Sequence, residues 1–95
     1  MKLSGRQREV LEQMAYGHML FVRLQRSGTE FRQTCWISNS ELHAMTVNAL
    51  IAARLIEPRA EVTGTGGTRT TEYAMSYAGR EAAPRAVRAV KARPR

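Results

Sequence analysis

The sequence predicts one small α+β domain. Three observations carry that expectation: two segments with helical periodicity, at 4–16 and 40–54, and two segments of alternating apolar and polar residues, at 18–37 and 59–77; a glycine-rich stretch, Gly64-Thr65-Gly66-Gly67, inside the second alternating segment; and a length of 95 residues, which suits one domain and no more. A chain this short buries roughly 60–65% of the surface its unfolded form exposes, so its core is thin and leaves little room for a deep substrate cavity.

The first helix is expected over 4–16. Ser4 reads as its N-cap, and Gln7 three residues later completes the S-x-x-Q form of a capping box. Val10, Leu11 and Met14 share one face, and Gly17 offers a stop. Over 18–37, Leu20, Val22 and Leu24 alternate with Phe21 and Arg23, and Phe31, Gln33, Cys35 and Ile37 form a second period-2 set around a turn at Ser27-Gly28. A hairpin is the preferred reading, although His18 to Gln25 is short enough to be helical by pattern alone. The second helix is expected over 40–54, capped by Ser40, with Leu42, Met45, Ala49, Leu50 and Ala53 inward and Glu41, Ala44, Asn48 and Ala52 outward. Pro58 prevents its continuation. Residues 59–77 read as a second hairpin with the glycine-rich stretch as its exposed tip, followed by a short helical end at Arg80 to Ala83.

Charge divides the chain unevenly. Of its net +7, five charges belong to the last twelve residues, where Arg85, Arg88, Lys91, Arg93 and Arg95 stand without an acid; residues 1–83 keep only +2. The 84–95 tail is expected to be disordered when free, and a tail of this kind binds polyanions without reading sequence. Cys35, the only cysteine, fits a reducing cytoplasmic setting and reads as a small buried hydrophobe. No apolar run approaches the roughly 18–20 residues that cross a bilayer, so no membrane partner is expected.

Catalytic and metal chemistry find no support in the pattern. His18 and His43 have no ligand spacing with Cys35 or an acid, and Gly64-x-Gly66-Gly67 lacks the Lys-Ser/Thr and the following helix of a phosphate loop. No catalytic residue, metal or cofactor is assigned, and no enzymatic activity is expected. Trp36 reads as a core residue.

Three stretches, taken in order, resemble a known superfamily. Thr46-Val47-Asn48-Ala49-Leu50-Ile51-Ala52-Ala53-Arg54-Leu55-Ile56 is similar to a recognition helix with its "G-L-I" exit, with Arg54 in the usual glycine position. Tyr73-Ala74-Met75-Ser76-Tyr77-Ala78-Gly79-Arg80 resembles the "Y-x-L-T-x-x-G-R" stretch that closes the wing of MarR-like winged helix-turn-helix proteins, and Leu3 to Leu11 resembles their "L-T-x-x-Q-x-x-V-L" opening. The resemblance spans residues 3–83 and implies a reduced winged-helix-like domain without the long terminal helices of dimeric MarR-like regulators.

It also implies a function: a small DNA-binding regulatory protein of transcriptional role, with double-stranded DNA as partner and a homodimer compatible with it. Helix 40–54 would enter the major groove and residues 59–75 would form the wing. Asn48 could then pair with an adenine edge, Ser40 and His43 would lie near phosphates or base edges, Arg69 and Arg59 would flank the wing, and Arg54 with Arg85, Arg88, Lys91 and Arg93 would add basic contacts. Against this, the helix holds no Lys or Arg before Arg54 and carries Glu41 near its start. A protein-interaction module, such as a small phage or mobile-element inhibitor or adaptor, is therefore the second expectation, and RNA binding by the tail is the third.

Overall fold

The alternation of residues 18–37 becomes two long antiparallel strands, β1 (Leu20–Ser27) and β2 (Glu30–Ile37), in a computed structural model that describes residues 3–83. Before them stands α1 (Gly5–Ala15), whose capping box is complete: the Ser4 hydroxyl accepts from the Gln7 N–H at 3.1 Å, and the Gln7 Oε1 accepts from the Ser4 N–H at 2.9 Å. After them come β3 (Ser40–Leu42), α2 (Ala44–Ala52), β4 (Ile56–Thr63), a one-turn 3-10 helix (Thr65–Gly67), β5 (Arg69–Met75) and α3 (Tyr77–Ala82). All five strands form one antiparallel sheet in the order β3-β2-β1-β5-β4.

The α+β fold seen here is not the winged-helix-like domain that the resemblance implies. Residues 18–37 supply no first helix for a helix-turn-helix pair; β1 instead pairs with β2 on one side and with β5 on the other. The two hairpins thereby fuse into a continuous sheet of five strands, more than a reduced winged helix contains. The physical reason is the period-2 placement of Leu20, Val22, Cys35 and Ile37, which buries all four on one face of paired strands and could not do so on a helix.

The second helix also begins later than its apolar pattern suggests. Ser40 is not its cap. A turn at Ser38, with φ 53°, and Asn39 sends Ser40–Leu42 back along β2, pairing Ser40 with Ile37 and Leu42 with Cys35. His43 caps α2 instead, its Nδ1 accepting from the Met45 N–H at 3.2 Å. With that start Val47 and Leu50 are buried, whereas Met45 points to solvent at 74% exposure. The helix is followed by Arg54 in the left-handed region, φ 59°.

One core lies between the helices and one face of the sheet. Val10, Leu11 and Met14 of α1 and Val47 and Leu50 of α2 meet Leu20, Val22, Cys35, Ile37 and Ile56 of the sheet, with Leu55 and Ala83 closing the end. Neither Phe21 nor Trp36 belongs to this cluster. At the far edge, Pro58 and a register shift between Pro58 and Ala60 break the β4 ladder, and every β4 residue after Ile56 is exposed.

Candidate interaction face

Successive side chains of a strand point to opposite sides, so the residues that alternate with the buried set face away from the helices. On that open face the register aligns one row across all five strands: Glu41 of β3 opposite Trp36 of β2, Trp36 opposite Phe21 of β1, Phe21 opposite Glu72 of β5, and Glu72 opposite Ala60 of β4. No described helix belongs to this side. Two aromatic rings thus stand partly exposed in the middle of a sheet, with a carboxylate on either flank.

The rings pack on each other. Phe21 and Trp36 are stacked with centroids 5.4 Å apart and planes 18° from parallel. Arg23, next on the same side of β1, places its guanidinium carbon 5.0 Å from the Trp36 ring centroid, a cation–π contact worth about 0.5–1 kcal/mol at an exposed site. Trp36 is therefore no core residue. The alternation already separates Cys35 from Trp36, but only the position of the helices decides which of the two is covered.

Among the described residues, those expected to contact DNA lie on β3, on α2 with its cap and exit, and on β4 and β5. Ser40 is tied into β3, and His43 spends its Nδ1 on the α2 cap. Asn48 is exposed on α2, but its Oδ1 accepts from the Gln33 Nε2 at 2.9 Å, which bends it toward β2. Arg69 pairs with Glu61 at 3.0 Å, so its charge is partly offset beside the glycine-rich tip. Arg59 sits at the β4 irregularity without a register partner on β5, and Arg54 is exposed at the exit of α2. Arg85, Arg88, Lys91 and Arg93 lie outside the described residues.

Cys35 is buried on the core face of β2, opposite Leu42 of β3. Desolvation pushes its thiol above the ordinary value of 9.0; a contact from the Gln33 amide at 3.5 Å pulls it back in part, and the Glu41 charge adds to the rise. Tyr73 is held above 10.0, first by burial and then by the charges of Cys35 and Glu61. Neither direction activates a nucleophile. Among the described residues no three His, Cys, Asp or Glu side chains gather as metal ligands, and no helix is long and apolar enough to cross a membrane.

Comparison with protein-family models, curated proteins and solved structures finds no match. The open face was hidden from sequence reasoning because Phe21 and Trp36 carry the same apolar signature as their buried neighbours. The signal that could have found it is the pair of acids, Glu41 and Glu72, in register with the rings: carboxylates are rarely placed in a fully covered layer.

Proposed function

We propose that this chain is a small protein-binding module that engages its partner through the open face of the sheet. The carrying observation is the stacked Phe21–Trp36 pair with Arg23 beside it, on a face that no described helix covers. Trp and Arg are the residue types enriched at the centres of protein interfaces, and an apolar patch rimmed by polar groups is their usual setting. The flanking Glu41 and Glu72 favour a partner that presents cations and work against a phosphate backbone laid along this row.

The test is partner retention by immobilised full-length protein. Phe21→Thr with Trp36→Thr keeps strand-forming residues while removing the rings. A stoichiometric partner held by the wild type and by Asn48→Ala, but released by the double variant, supports the reading; equal retention by all three overturns it.

Nucleic-acid binding is a second reading, favoured by the concentration of five of the seven net charges in the last twelve residues. If all five cations contact phosphates of a duplex, log Kobs falls against log salt with a slope of about −4.5. Fluorescence anisotropy across a salt series measures that slope, and a slope near zero removes this reading.

A further inference from the structure

We propose that the face carrying Phe21 and Trp36 docks on the same face of a second copy of this chain, as a closed, two-fold symmetric dimer. This rests on the reading of that face as an interaction surface and names its partner. Charge pattern, exchange of rows and area point to that occupant.

The face is mixed in sign. The strand register brings Glu41, Glu72, Glu57 and Glu30 to it. It also brings Arg23 and Arg32, with Arg59 beside Ala60. The two signs occupy different rows. Glu41 and Glu72 flank the rings, whereas Arg23 and Arg32 stand one and two rows further along the β1–β2 hairpin. A polyanion or a polycation laid across such a surface meets its own sign as well as the opposite one, and residues 1–83 together hold only +2. The face therefore selects a partner by arrangement and not by net charge.

Its own arrangement supplies the match. The row after the aromatic one runs Thr34, Arg23, Thr70 and Val62 across β2, β1, β5 and β4. Two identical faces that meet are related by a two-fold axis lying in the interface, so each patch meets itself reversed. An axis running across the strands between these two rows exchanges them. Arg23 of each copy then comes over Phe21 of the other, with Trp36 and Glu72 one strand away on either side, about 4.8 Å. Arginine serves both neighbours with one planar group, stacking on rings and pairing with carboxylates. The same exchange sets Val62, 68% exposed, against Ala60 of the other copy and thus buries apolar surface on both sides.

Area sets the strength. Five strands give a width of about 19 Å, and the eight residues of β1 a length of about 26 Å. Two such faces together cover about 1,000 Å², the lower end for a specific interface. The dimer is accordingly reversible, with half-association at micromolar protein.

The experiment is sedimentation equilibrium of the full chain from about 1 to about 500 μM, a range that brackets an interface of this size. It is accompanied by the emission wavelength of Trp36, the only tryptophan. The expected result is a mass that rises from one chain to two, with a blue shift of the emission over the same concentrations. Arg23→Glu and Glu72→Arg should each move the midpoint up by about tenfold or more, because each sets like charges against each other in both halves of the dimer. An equimolar mixture of the two single variants should regain association, since Arg23→Glu in one copy then faces Glu72→Arg in the other. Charge reversal within one chain cannot produce that recovery, and circular dichroism of each variant alone checks that it is folded.

A mass of one chain throughout overturns the proposal, as does a mass that climbs past two chains. Association left unchanged by both variants, or not regained on mixing, overturns it as well. Retention of an external partner lost on Phe21→Thr with Trp36→Thr remains a separate result, so a face that binds another protein is distinguishable from one that binds its own copy.

Discussion

Gly79 of α3 lies against the Leu55 carbonyl so closely that a methyl group on its Cα would overlap that oxygen. The contact joins the last described helix to the exit of α2. Around it the Ser76 hydroxyl donates to the Arg54 carbonyl at 2.6 Å and accepts from the Gly79 N–H at 3.0 Å, and the Ser76 N–H donates to the Leu55 carbonyl at 3.0 Å. Gly79→Ala should therefore cost about 2–3 kcal/mol, since neither backbone can yield cheaply. Urea unfolding checks this as a lower midpoint with an unchanged slope.

Arg54 has φ 59°, a conformation that costs an L-residue about 1–2 kcal/mol, while glycine gives back about 0.5–1 kcal/mol of that saving as unfolded-state entropy. The side chain is exposed and, among the described residues, makes no hydrogen bond or salt bridge that glycine would lose. Arg54→Gly should stabilise the domain by about 0.5–1 kcal/mol, seen as a higher melting temperature.

Cys35 sets a pH dependence whose sign is fixed by burial. Its thiol holds its proton above 9.0 in the folded state, so as pH rises past that value the unfolded chain loses the proton first. Bound protons then number fewer in the unfolded state, and stability falls with pH. Tyr73 extends the fall beyond 10.0 in the same direction. Denaturation midpoints should decline across this alkaline range, and Cys35→Ala should flatten the part that starts near 9.0.

Asn48 separates groove reading from a structural role. Its hydrogen bond to Gln33 at 2.9 Å ties α2 to β2, so Asn48→Ala should lower stability by about 0.5–1 kcal/mol. Any duplex affinity supplied by the basic segment should stay unchanged. A base-reading asparagine would instead lose about 1–3 kcal/mol of affinity on a preferred site only, which anisotropy with matched and scrambled duplexes would reveal.

Local chemistry was legible and long-range pairing was not. Ser4 and Gln7 announce the start of α1 because their capping bonds lie within one turn, and the alternation of Leu20 to Ile37 announces a hairpin because its period is local. Nothing local tells β1 to take β5 as its second neighbour, and that pairing turns two hairpins into one sheet. The same gap explains the binding face. Phe21 and Trp36 are as apolar as Leu20 and Ile37, and the choice of covered side depends on where α1 and α2 pack. Asn48 looked free on a helix face because its partner Gln33 stands fifteen residues earlier. Ser40 looked like a cap because a Ser before an apolar run usually is one; here the turn at Ser38 claims it for β3.

Pro58 gives the outermost strand a further meaning. It has no N–H to donate, and the register shift beside it twists the exposed ladder of β4 out of line. A second molecule cannot extend the sheet smoothly from that edge, and at the opposite edge β3 offers only three residues. The sheet is thus guarded at both ends against fibre-like stacking, the characteristic hazard of exposed strands. Self-association, where it occurs, is steered away from the strand edges and onto the faces.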